Sequence, residues 1–170
     1  MSFFSTPAIL LRRIPFKDYD LIVTLLSREQ GKLTVIAKNA KKSQKRFGGI
    51  LEPFSQLHLV CTFSKGHGMG VLQEAAIENP FLAVRGNIKK TAYASYWAEI
   101  INLWCEEGKA LPKIYGLLQY CLHLLDTGEI MEEGASIIFQ MRFLQLSGLA
   151  PNLTNCVSCK ALMDKSGREH

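Results

Sequence analysis

The stretch KLTVIAKNAKKSQKRFGGILEPF, Lys32 to Phe54, decides how the front of this chain is read. Its first part alternates, with Leu33, Val35 and Ala37 on one side and Thr34, Ile36 and Lys38 on the other, the period of a half-buried strand. The next part carries Lys38, Lys41, Lys42, Lys45 and Arg46 with no acidic residue among them. It closes at Gly48-Gly49 and returns through Leu51 to Phe54 into an apolar segment. Five cations on a connection held between two strands make an electrostatic footprint for a polyanion. A solvated surface loop has the same composition, so the distribution of charge over the rest of the chain has to decide.

That distribution is uneven. The formal net charge is +5, and residues 1–79 hold eleven Lys+Arg against six Asp+Glu while residues 80–170 hold nine of each. The excess therefore belongs to the first half, which points to a division of labour between a basic half and a neutral half. A chain of 170 residues that is 48% hydrophobic can bury a substantial core. No apolar run approaches the length of a spanning helix. The N-terminal MSFFSTPAILLRR places its charges after its apolar residues, the reverse of a secretory signal. Five cysteines, an odd number at scattered spacing, argue for a reducing compartment over a disulfide framework. A soluble, cytoplasmic protein without a membrane partner is the expectation.

Working outward from the opening stretch, the first 79 residues read as five short strands. They are residues 8–14, 20–27, 33–38, 55–63 and 69–77, separated by turns at Pro15–Asp18, Glu29–Gly31 and a glycine-containing hairpin at Lys65–Gly68. Strands this close together leave no room for crossover helices and favour a small barrel, and the five-stranded barrel with a recurrent nucleic-acid role is the OB-fold. From Pro80 the period becomes helical. Asn87 caps a helix to about Cys105, with Ile88, Ala92, Tyr96, Ile100 and Leu103 along one stripe that Tyr93, Trp97, Ile101 and Trp104 widen. Gly108 is read as its stop, and Pro112 opens a second helix that Thr127-Gly128 ends. A third helix, about 130–147, is apolar nearly all round and is predicted to lie in the middle of the bundle. The fold class predicted is α+β: an OB-fold barrel over 1–79, then a helical domain over 80–170 carrying the start of a zinc-knuckle-like CxxC.

Candidate sites divide sharply by strength. Lys38, Lys41, Lys42, Lys45 and Arg46 are the candidate phosphate contacts, with Lys32 and one of Arg12 and Arg13 as additions, since neighbours on a strand point to opposite faces. Phe16, Tyr19, Phe47 and Phe54 flank the basic stretch, where aromatic rings stack on unpaired bases; barrel closure competes for the same rings, chiefly for Phe54. Cys156 and Cys159 have the spacing of half a tetrahedral metal site. Only His170 follows as a further ligand, so the site is incomplete and tight zinc binding is not expected. The glycines Gly66, Gly68 and Gly70 lack the context of a phosphate loop, and no activated nucleophile or carboxylate cluster can be read. An enzyme is not expected.

The residues DYDLIVTLLSREQGKLTVIAKNAKKSQKRFGGILEPFSQLHL, then ENPF at 78–81, YASYWAEI, and MRFLQLSGLAPNLTNCVSC, resemble the bacterial recombination mediator family RecO along essentially the whole chain. The resemblance implies an OB-fold that binds single- and double-stranded DNA, followed by a helical domain. It implies strand annealing and, with RecR, help in loading RecA onto DNA coated by the single-stranded DNA-binding protein, SSB. The acidic-apolar tail of SSB docks, on this reading, on the helical half. RecO proteins are typically longer, and in many a second ligand pair beyond the CxxC completes a zinc site; the present chain reads as a fragment or shortened form in which zinc belongs to the full-length protein. An RNA-binding OB module stays open as the alternative, because cations and stacking rings serve either polymer.

Overall fold

A computed structural model of the chain describes residues 2–63, 69–156 and 158–162. The strands are β1 (Ser2–Phe16), β2 (Asp20–Ser27), β3 (Gly31–Ala37), β4 (Gln56–Phe63) and β5 (Gly70–Asn79), with a one-turn helix α1 (Gln44–Phe47) between β3 and β4. They close into a barrel in the order β1-β2-β3-β5-β4, antiparallel except where β3 runs parallel to β5 at Val35–Gly70 and Ile36–Val71. The result is an OB-fold-like five-stranded barrel followed by helices. The predicted hairpin at Lys65–Gly68 lies outside the described residues.

β1 is longer than its sequence pattern suggests because it serves two partners. Residues 2–9 pair with β4 and residues 8–16 with β2, and the register slips between Leu10 and Arg12 where the strand bends. At the bend Leu10 is tied to the returning chain, its N–H donating to Ser55 O at 3.0 Å and its carbonyl accepting from Phe54 N at 2.7 Å. The alternation predicted for β3 and β4 is seen: Leu33, Val35, Ala37, Leu57, Leu59 and Cys61 are buried. Val35, Ala37, Leu57, Leu59 and Cys61 fill the barrel interior with Ala8, Leu10, Val23, Leu25 and Leu72.

The helices are α2 (Leu82–Gly86), α3 (Ile88–Trp104), α4 (Pro112–Thr127) and α5 (Glu132–Leu146). Asn87 caps α3 as expected, its side-chain oxygen accepting from Lys89 N at 2.9 Å and Lys90 N at 3.2 Å. Gly128 ends α4 in the left-handed conformation at φ 71°, where glycine carries no Cβ penalty. The five-residue α2 escapes the sequence pattern; its N-terminal amides at Ala83 and Val84 donate to Asp126 at the far end of α4. Ile9, Leu11, Leu26 and Phe54 leave the barrel's outer surface to join Phe81, Trp97, Ile101 and the apolar residues of α4 in one core. Barrel and helices therefore share buried apolar surface directly.

Three helical expectations are corrected. The stripe Ile88, Ala92, Tyr96 and Leu103 faces outward, with Ile88 87% and Leu103 77% exposed, while Ala94, Trp97, Ala98 and Ile101 form the buried face. The third helix is not the central one: Ile137, Met141 and Leu146 are exposed on α5, and α4, buried at eight positions, packs against α2, α3, α5, β1 and β2. A helix apolar on most sides does not by itself say which side is down. Nor does Gly108 stop α3, which ends at Trp104 when Cys105 becomes extended; Gly108 instead donates its N–H to Lys32 O at 3.2 Å, docking the 105–108 segment on β3. Glu107 bonds the Thr34 hydroxyl there, which accounts for one of the two acids that follow α3.

Candidate nucleic-acid interface

The basic excursion between β3 and β4 is a built structure. Asn39 takes φ 56°, a left-handed conformation that Asn tolerates, and its N–H donates to Asp20 Oδ1 at 2.8 Å. Its carbonyl accepts from Lys42 N and Ser43 N, and Lys41 N donates to Tyr19 O at 3.0 Å. Ser43 then caps α1 by accepting from Arg46 N at 3.3 Å. Phe47 drives the turn into the barrel, and Gly49 at φ 69° reverses the chain. The excursion is thus laced to the Lys17–Tyr19 turn that joins β1 to β2.

Lys38, Lys41, Lys42 and Arg46 on it are exposed. Lys41 Nζ donates to the carbonyls of Lys17 at 3.1 Å and Asp18 at 3.3 Å; Arg46 Nη2 donates to Lys38 O at 2.9 Å. Lys42 Nζ sits 3.5 Å from the centroid of the Tyr19 ring, and Arg46 lies over Phe47 at 4.9 Å. Carbonyl and ring contacts orient a cation without cancelling its charge. Among the described residues, no ion pair joins Lys38, Lys41, Lys42 or Arg46 to a carboxylate. Lys45 lies in α1, with its side chain outside those described.

The other candidates fall elsewhere. Lys32 Nζ donates to Asn102 O at 2.7 Å near the end of α3, so its ammonium is turned to the helices. Arg13 borders the crevice of about 360 Å³ beneath the excursion, beside Lys41 and Ser43, and is held by Glu52 at 2.7 Å and by Leu51 O at 2.9 Å. Arg12 lines a separate crevice between β1 and α3 that also holds Glu99 and Asn102. Phe47 is only 4% exposed and Phe54 is buried in the junction, so both rings close the fold. One residue went unnoticed in the sequence: Lys17, at φ 49° in the β1–β2 turn, its Nζ 5.4 Å from the Phe16 ring centroid. Only the pairing of Phe16 with Asp20 across that turn brings it beside Lys41.

Cys156 and Cys159 lie in a tight turn closed by Lys160 N donating to Cys156 O at 3.0 Å and Cys156 N to Ala161 O at 2.8 Å. The backbone N–H groups of Cys159 and Ser158 hold the Cys156 thiol below its ordinary pKa. His170 lies outside the described residues, and among those described no third metal-ligating side chain joins the two thiols. Burial pushes the three core thiols up, to about 11 at Cys61 and Cys105 and about 12 at Cys121. Iodoacetamide at neutral pH is therefore expected to modify Cys156 first in the folded protein, read by peptide mass spectrometry, and Cys61, Cys105 and Cys121 only after denaturation. Native-state labelling of Cys121 would contradict this packing.

On the helical side, α4 and α5 flank an open groove of about 750 Å³. Leu117, Tyr120, Ile137 and Met141 line it, and exposed Lys113 and Arg142 stand beside them. Gly116 widens it, since a Cβ there would meet nothing within 4 Å. No helix of the described residues is long and apolar enough to cross a membrane.

Two family models match the chain: one for the N-terminal part of recombination protein O over residues 1–81, and one for its C-terminal part over residues 85–166. The chain is 48% identical over 163 residues to a DNA repair protein RecO from Desulfosudis oleivorans, covering 95% of this chain and 63% of that one. It is 43% identical to the RecO of Desulfatibacillum aliphaticivorans, covering 96% and 64%, and 35% identical to that of Bacillus subtilis, covering 90% and 59%. It thus spans about three-fifths of the length of the curated relatives it matches.

Proposed function

The chain belongs to the recombination protein O family, and from that premise we propose that it is a non-catalytic DNA-binding recombination mediator acting in DNA repair. The barrel, residues 1–79, grips single and double strands through Lys38, Lys41, Lys42, Lys45 and Arg46, with Lys17 and the partly neutralised Arg13 beside them. Lys32, Arg12 and Phe47 are left out of that surface. What supports the reading is one observation: on an excursion laced to the β1–β2 turn, Lys38, Lys41, Lys42 and Arg46 face solvent without carboxylate partners among the described residues. Annealing then needs no chemical step. Two strands held on one cationic rim repel each other less, which lowers the cost of their encounter. Neither family match favours the RNA-binding alternative.

The helical unit, residues 80–170, takes the protein partners in this reading. With RecR the protein helps load RecA onto DNA coated by SSB. The groove between α4 and α5 suits the tail of SSB, because its apolar floor and its two cations, Lys113 and Arg142, match an acidic-apolar peptide. The CxxC turn contributes two thiolates toward a zinc site in longer family members, and no part of DNA handling is assigned to it here. The proposed location is the cytoplasm, at the nucleoid.

The test is a variant with Lys41, Lys42, Lys45 and Arg46 changed to Ala. About five phosphates contacted on a single strand predict a slope near −3.5 for log K against log salt, roughly a hundredfold loss between 50 and 200 mM. Fluorescence anisotropy is expected to show the variant weakened alike on every DNA sequence, with a flatter slope. Unchanged affinity for both single- and double-stranded DNA would overturn the proposal, and tighter binding of RNA than of single-stranded DNA would transfer it to the alternative.

A further inference from the structure

We propose that Tyr19 is the residue by which this surface tells unpaired strands from duplex: an incoming base displaces the Lys42 ammonium from the Tyr19 ring and stacks there, and the released ammonium passes to the adjacent phosphate. This rests on the DNA-binding reading above and specifies what the rim selects. Four aromatic rings flank the basic stretch, and the fold disposes of them differently. Phe47 and Phe54 are buried, Phe16 is half-buried, and Tyr19 is 43% exposed at the tip of the β1–β2 turn. That tip is fixed to the excursion by the hydrogen bond from Lys41 N to Tyr19 O, which keeps the backbone carrying the ring beside the cations.

The contact at 3.5 Å makes the ring and the ammonium a coupled pair. An exposed cation over an aromatic face gains little, so a base with its larger stacking surface replaces it readily. The ammonium then has no ring partner and is free to neutralise a phosphate. A duplex keeps its bases stacked on one another and offers no face to Tyr19, so it meets only the cations. The rim thereby acquires a preference for single strands that charge alone does not provide.

Three ligands of equal length separate the contributions: an ordinary single strand, a strand of the same phosphates lacking its bases, and a duplex. For the unchanged protein, anisotropy is expected to show the ordinary strand bound roughly 5- to 150-fold more tightly than the base-free strand, the span of one stacked base. Tyr19→Ala is expected to abolish that ratio and leave duplex binding within about twofold, while Tyr19→Phe keeps it. Lys42→Ala is expected to preserve the ratio and flatten the salt slope by about 0.7. Equal affinity of the unchanged protein for ordinary and base-free strands, or an equal loss on strand and duplex in Tyr19→Ala, overturns the assignment of Tyr19. If the unchanged protein binds none of the three ligands, the DNA-binding reading itself fails.

Discussion

Trp97→Ala is expected to lower the unfolding free energy by about 3–5 kcal/mol, a fall of roughly 10–15 °C in Tm for a chain of this size. Trp97 is fully buried and stacks on Phe139 of α5 at 5.1 Å between ring centroids, with Tyr93 at 6.5 Å on its other flank. Phe139 stacks in turn on Phe143, which meets Trp104 edge-on at 5.3 Å. The seam between α3 and α5 is thus a ladder of rings, and removing its central rung leaves a cavity bordered by parts that cannot all collapse into it. Trp97 Nε1 has no hydrogen-bond partner among the described residues, so Trp97→Phe gives up a buried orphan donor along with some volume. It is expected to recover most of the loss. Leu103→Ala, on the exposed face of the same helix, is expected to stay within about 0.5 kcal/mol. Thermal or urea unfolding followed by circular dichroism decides, and a Leu103 variant as damaging as the Trp97 variant would reverse the assigned helix faces.

That comparison also marks where the sequence stops being informative. Strand alternation is unambiguous because its period of two leaves one face or the other; β3 follows the pattern throughout and β4 follows it as far as Cys61, with Thr62 buried beside it. Helix α3 carries apolar residues on well over half its circumference, so the pattern names a buried helix without naming its buried face. The burial of Trp97 in place of Tyr96 is decided by Phe139, more than forty positions away, and no local window contains that information. α5 misleads in the same manner: its apolar outer face lines an open groove.

The candidate site shows the same division. The cationic excursion was legible because charge clusters survive in one dimension. Lys17 was not, since its place beside Lys41 depends on the pairing of Phe16 with Asp20 and on the Lys41 Nζ contact to the Lys17 carbonyl. Lys32 reads as one more cation of the stretch, yet β3 carries it to the opposite end, where it donates to Asn102 O. The sequence supplies the inventory of charges, and tertiary pairing decides which of them share a surface.

The second large effect is expected at Gly31, where Gly31→Ala should cost about 2–5 kcal/mol by combining backbone strain with overpacking. Gly31 holds φ 70° in the β2–β3 turn, a conformation in which a Cβ costs roughly 1–2 kcal/mol by itself. A methyl group there would also overlap the Lys109 carbonyl, a backbone atom that no rotamer change can move aside. The displaced segment is the one that docks on the barrel through Gly108 N to Lys32 O, the bridge of Lys32 with Glu107, and the Glu107 bond to Thr34. The substitution therefore acts on the seam between barrel and helices, far from the basic excursion at the other end of β3. Its signature should be a lowered Tm together with faster amide exchange in the 105–109 segment, while DNA affinity at temperatures well below the transition stays close to that of the unchanged protein. A Gly31→Ala variant as stable as the parent would mean that the connection after α3 does not press on this turn. One that kept its Tm but lost DNA binding would mean that the turn belongs to the nucleic-acid surface and that the rim has been placed at the wrong end of the barrel.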